Sequence, residues 1–197
     1  MKVFLKKTLL GGILVLFFQL SALAQDYVIT IKGDTLHCRI SIPLMGKLRY
    51  KSEGMTSAEK IKPDEILEYY IARKDLLERS VSINNNKNMS PVFMTVVEKG
   101  KISLYQLIVT TTFYNNGMTS SSSTTTWYIG KGSGDVDELK TSGLFSMASR
   151  KSRKDELGQL FADNKEVYDK YIADDKFSFT QIRNLVHLYN TGEPLKN

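Results

Sequence analysis

The chain is poor in the residues that most often carry chemistry. Of its 197 residues, one is cysteine (Cys38) and two are histidine (His37 and His187). A single cysteine excludes an intrachain disulfide, so stability has to come from packing. This set is also a thin supply for zinc, and no pair in it has ligand spacing. His37 and Cys38 are neighbours in a strand-like run, so they point to opposite faces and cannot serve each other as base and nucleophile. Cys38 reads as a small buried hydrophobe. His187 lies off the apolar stripe of its helix, which places it in solvent. There is no internal repeat, no interdomain linker, and no apolar run of the roughly 20 residues a helical membrane span needs.

Charge of neither sign dominates. The formal net charge is +6, from 27 basic and 21 acidic residues. Lys2, Lys6 and Lys7 belong to a basic start, followed by an apolar core at Leu9–Leu20 and the end Ser21-Ala22-Leu23-Ala24. That is the layout of a cleavable secretory signal peptide, with Gln25 as the mature start. A lipoprotein would carry a cysteine straight after the apolar core, and Cys38 lies well beyond it. Without those three lysines the balance is +3, which calls for no nucleic acid. The expectation is an exported protein of the periplasm or cell surface, with no transmembrane segment after signal cleavage.

Residues 25–197 read as one α+β domain, mainly β over 25–140 and mainly α over 141–197. The central stretch is Pro91–Thr112, two strands at Val92–Val97 and Ile102–Thr111 joined by Glu98-Lys99-Gly100-Lys101. Both arms are rich in β-branched and aromatic residues and largely apolar on both faces, which places this hairpin inside a sheet. Before it, Asp26–Ile31 and Thr35–Ile42 alternate around the turn Lys32-Gly33-Asp34. Leu48–Lys51, Leu67–Ala72 and Leu76–Ile83 read as further strands, and Pro63 opens a single helical turn before Ile66. After it, Tyr114–Thr126 is a low-complexity run of Asn, Gly, Ser and Thr, expected to be a mobile hairpin tip that buries little. Val136–Leu139 gives one last short strand.

From Ser142 the apolar period changes to about 3.6. Leu144, Phe145, Met147 and Ala148 give one helical patch, and Leu157, Leu160 and Phe161 a second. Asp163 with Glu166, and Ser178 with Gln181, have capping-box spacing, and Phe177 and Ile182 can form a staple. The last helix carries Ile182, Leu185, Val186 and Tyr189 on one stripe and stops at Thr191-Gly192. Strands first and helices last imply a partly curved antiparallel sheet with the C-terminal helices on one face.

The chain resembles a family of small, uncharacterised secreted proteins of Bacteroidota. The resemblance lies in Tyr27–Leu36 with its Gly33-Asp34-Thr35, in Pro63-Asp64-Glu65-Ile66, and in Gly100-Lys101-Ile102-Ser103-Leu104-Tyr105. It continues in Trp127-Tyr128-Ile129 and Leu188-Tyr189-Asn190. It implies an exported envelope protein and transfers no activity and no catalytic residue. Asp34-Thr35-Leu36 looks like the O-glycan acceptor of Bacteroidota, and Asn88-Met89-Ser90 is formally a glycosylation sequon followed by Pro91.

The remaining motifs are weak as chemistry. Asp135, Asp137 and Glu138 sit beside glycines but lack the EF-hand pattern, so they read as a solvated turn. Gly130-Lys131-Gly132-Ser133 lacks P-loop spacing and reads as a flexible turn. Arg150, Lys151, Arg153 and Lys154 form a basic cluster, either a solvated face or a contact for anionic headgroups or an acidic partner. Trp127 and Tyr128 cannot both face one side, which suggests that one is exposed near the Tyr114–Trp127 segment. No catalytic residue, metal or cofactor emerges. The expected interaction surface comprises Tyr114, Trp127, Tyr128, Arg150, Lys151, Arg153 and Lys154. The function expected is non-catalytic binding or structural support, with an envelope protein, glycan or lipid as partner. The alternatives are a carrier of a small apolar ligand or lipid, and a glycan-acting hydrolase whose carboxylates come from distant segments.

Overall fold

A computed structural model describes residues 25–43, 46–84, 90–132, 135–143, 149–174 and 176–196. The leader segment, the helical patch at Leu144–Ala148, the first two residues of the sequon and most of the Asn84–Asn88 run lie outside them. Ten strands form one sheet: β1 Tyr27–Thr30, β2 Thr35–Ser41, β3 Arg49–Ser52, β4 Glu59–Lys60, β5 Ile66–Ile71, β6 Leu76–Val81, β7 Val92–Glu98, β8 Ile102–Asn115, β9 Met118–Lys131 and β10 Asp137–Thr141. Their order is β10-β9-β8-β7-β6-β5-β1-β2-β3-β4, and neighbours pair antiparallel throughout. Helices α1 Arg150–Phe161, α2 Lys165–Ala173 and α3 Phe179–Thr191 follow. The class is α+β, and the β7–β8 hairpin lies inside the sheet as its two-sided apolar pattern requires.

Local chemistry sets the element ends. Gly33 takes φ +90° in the β1–β2 turn, where its N–H donates to the Thr30 carbonyl at 2.9 Å. Asp26 ties β2 to the end of β5, one carboxylate oxygen accepting from Ile40 N–H at 2.8 Å and the other from Ala72 N–H at 2.9 Å. Ser178 caps α3 by accepting from Gln181 N–H, and Gly192 ends it at φ +75°. The cap of α2 differs from expectation. Asn164, not Asp163, accepts from Val167 N–H, because Asp163 is engaged by Lys131 and Tyr189.

Three apolar clusters hold the sheet. Val28, Cys38, Ile40, Tyr50, Ile61, Ile66, Tyr69 and Ile71 form the one at the β1–β5 end. At the other end Ile102, Leu104, Trp127, Ile129 and Leu139 join Leu157, Phe161, Ile182, Leu185 and Val186 of the helices. Tyr105 and Tyr128, which alternate with Leu104 and Trp127 along the strands, pack with Val81, Met94 and Val136. Apolar cover on both sides of β8 and β9 is why Trp127 and Tyr128 are both buried, at 7% and 8% exposure. The expectation that one of them is exposed is thus corrected.

Asn190 locks α3 to the sheet. Its side chain accepts from Ile102 N–H at 3.0 Å and donates to the Ile102 carbonyl at 2.7 Å, satisfying both backbone groups at the start of β8. Gly100 makes room for it, since a Cβ there would lie 2.3 Å from Asn190 Cγ. Replacing Asn190 with Ala is expected to destabilise the fold by about 1–3 kcal/mol, because two backbone groups lose their partner. Urea titration of the purified variant checks it, and an unchanged midpoint would refute the clamp.

Candidate functional site

The Ser/Thr run is not a loop. Residues Tyr114–Asn115 and Met118–Thr126 continue a regular ladder that runs from Ile102↔Lys131 to Asn115↔Met118. The chain reverses on Asn116 (φ +47°) and Gly117 (φ +80°), the backbone of a two-residue hairpin turn. Thr and Ser suit a pleated strand when hydroxyls can pair across it, and Thr110 Oγ1 meets Ser123 Oγ at 2.8 Å and Thr112 Oγ1 meets Ser121 Oγ at 3.1 Å. The hairpin expected from the sequence is present, but its tip is a paired ladder and not a mobile segment, because each Ser and Thr has a cross-strand partner.

This hairpin outgrows its sheet. The β7 ladder reaches β8 only as far as Gln106, and the β10 ladder reaches β9 only as far as Thr126. Beyond these points β8 and β9 continue as a two-stranded arm. Tyr114 is 77% exposed and Met118 80%, and Ile108, Val109 and Phe113 are each more than half exposed. From Ile102 to Gly130 there is no Asp, Glu, Lys, Arg or His. Protruding edge strands are ordinarily guarded by charge, proline or a bulge, and none interrupts the arm ladder beyond Gln106. That uncharged run is the signal by which the arm could have been found in the sequence.

The basic segment lies in the first turns of α1. Ser149 caps the helix by accepting from Ser152 N–H, and no acidic residue sits in the first turn. Arg153 is half-buried and pairs with Glu138 at 3.6 Å, while Arg150 and Lys151 are exposed. Lys140 lies over the Phe177 and Phe179 rings, and burial, then Arg153 and Arg150, holds its ammonium below the usual range. Of the expected surface, Tyr114 belongs to the arm, Arg150–Lys154 to α1, and Trp127 and Tyr128 to the core. The acidic turn is dispersed: Asp137 accepts from Asn84, and Glu138 takes Arg153. Among the described residues no group of three or more His, Cys, Asp or Glu converges as a metal site would need.

Two carboxylates, one buried and one half-buried, were missed by sequence reasoning. Glu68, 1% exposed, accepts from Lys99 at 2.9 and 3.1 Å and from Arg79 at 3.4 Å. Glu98 accepts from Arg183 Nε at 2.9 Å and lies 3.1 Å from His187 Nδ1, so His187 is half-buried and not in solvent as expected. Each carboxylate is committed to cations, an arrangement that fixes β5, β6, β7 and α3 together. The stacked Tyr27 and Tyr70 rings, 5.6 Å apart, line an open cleft of about 450 Å³ with Asp75, Thr95 and Arg183. Among the described residues no helix is long and apolar enough to cross a membrane. Comparison with protein families, curated proteins and solved structures finds no match to this chain.

Cys38 is buried, and His37 beside it is exposed on the opposite face. Burial first, then the Asp26 carboxylate, pushes the thiol up to about 11. Burial and the bond to Glu78 raise the Tyr69 hydroxyl as well. The folded state therefore holds these protons more tightly than the unfolded chain. The Cys38 contribution to stability is complete below about pH 9, the usual thiol value, and is lost as the pH rises through about 11. A thiol reagent at pH 8 should leave native Cys38 untouched and label it on unfolding, while the urea midpoint should fall between pH 9 and 11. Rapid native labelling would contradict the burial.

Proposed function

We propose that this is an exported protein of the cell envelope that acts as a non-catalytic binding or structural module, with the β8–β9 arm as its binding element. The arm itself carries the reading. It is long, uncharged and apolar toward its end, and beyond Gln106 no further strand among the described residues pairs with its β8 edge; such an edge is a template for strand addition. The α+β body, with its helices laid on one face of the sheet, is the rigid base that presents it. The layout of the first 24 residues and the resemblance to secreted Bacteroidota proteins support export to the periplasm or cell surface. The Arg150–Lys154 segment is a second contact, for an acidic partner or anionic headgroups. The partner is an envelope protein, a glycan or a lipid.

Two variants test this. Joining Ile108 to Thr125 through Asn-Gly removes the outer arm and should leave Tm within about 3 °C, because the arm buries little. A photo-crosslinking residue at Tyr114, introduced in cells, should give heavier adducts, whereas the same residue at exposed Lys165 should give none. Loss of folding in the shortened chain, or no adduct at Tyr114, would overturn the assignment.

A further inference from the structure

The geometry points to a second copy of this chain as the occupant of the arm, paired edge to edge along β8. The inference rests on the reading of the arm as the binding element. The two-residue turn makes Asn115 and Met118 a hydrogen-bonded pair. Alternation then makes Ile108, Thr110, Thr112 and Tyr114 the β8 residues whose N–H and C=O point away from β9. On β9 the outward set is Thr119, Ser121, Ser123 and Thr125. The phase is verified at Thr125, whose N–H donates to Ser142 Oγ at 2.9 Å and whose carbonyl accepts from Ser142 N–H at 2.8 Å.

The β8 edge is self-complementary about Thr111. Antiparallel pairing with Thr111 opposite its own copy sets Thr110 against Thr112, Val109 against Phe113 and Ile108 against Tyr114. Outward residues then meet outward residues, which is the condition for ladder hydrogen bonds. Four positions become pairs of an aromatic with a β-branched residue, and the centre is threonine against threonine, both favourable across strands. Two identical strands repel when they carry charge, and this one carries none. Pairing turns two marginal two-stranded arms into one four-stranded sheet. The β9 edge, nearly all Ser and Thr, offers no comparable pairs. Seven residues span about 24 Å of strand, a short contact of the kind that weak, reversible association uses.

Sedimentation equilibrium of the chain from Gln25 onward, at concentrations from about 5 to 500 μM, reads the association, a range set by that small interface. T112P removes an outward N–H of β8 and S121P an outward N–H of β9. Both lose the same Thr112–Ser121 side-chain bond, and neither loses a bond of the hairpin itself. The expected result is a dimer whose dissociation constant rises at least about tenfold in T112P, as loss of 1.4 kcal/mol or more requires, and is unchanged in S121P. As a second reading, T111C should form an intermolecular disulfide under mild oxidation, since facing residues at a non-hydrogen-bonded pair suit the bond. Three results would overturn self-pairing: a chain monomeric throughout, a dimer that survives T112P, or a dimer lost only in S121P. In each case adducts at Tyr114 with other envelope components would still leave the arm as a binding element.

Discussion

The β8–β9 ladder is the interaction on which the rest of the molecule depends. At its base Leu104 and Ile129 anchor the cluster shared with the helices, while Tyr105 and Tyr128 anchor the cluster on the alternate side. Asn190 reads the first residue of that ladder and thereby seats α3. The same unbroken run of backbone bonds then leaves the body and carries the arm. Rigidity at the base and exposure at the tip are two ends of one secondary-structure element.

The two ends obey different rules. Within the body the strands between β10 and β4 are each paired on both sides, and the buried Glu68 and half-buried Glu98 carboxylates are each matched to basic side chains. In the arm the outward backbone groups of β8 beyond Gln106 meet no further strand among the described residues, and there is no charged residue to discourage a neighbour. Two-stranded hairpins are marginal alone, so a long one with β-branched and aromatic residues on its free edge makes physical sense when something lies against it.

Much of the fold was legible because periodicity survives in single sequences. The β1–β2 turn, the β7–β8 hairpin, the Ser178 cap and the Gly192 stop are written in local residue types, and each forms where expected. What was not legible depends on partners distant in sequence. Thr119–Thr126 looks like a featureless run until Leu107–Tyr114 lies beside it. Asp163 has the spacing of a cap but is drawn away by Lys131, which belongs to the end of β9. Trp127 and Tyr128 argue for one exposed ring only if the sheet has a single covered face. Glu68 and Glu98 give no local sign of their ion pairs, because their basic partners come from other strands, from the β7–β8 turn and from α3.

Residue-resolved amide hydrogen exchange across the arm is the most direct measurement, made on the chain from Gln25 onward at low and high concentration. If the β8 edge is where a second copy binds, the amides of Ile108, Thr110, Thr112 and Tyr114 become protected as concentration rises. Those of Thr119, Ser121 and Ser123 on the opposite edge continue to exchange freely. Equally fast exchange on both edges at every concentration would mean that the arm carries an uncovered strand for some reason other than self-pairing. Protection confined to the β9 edge would assign the pairing to the wrong strand.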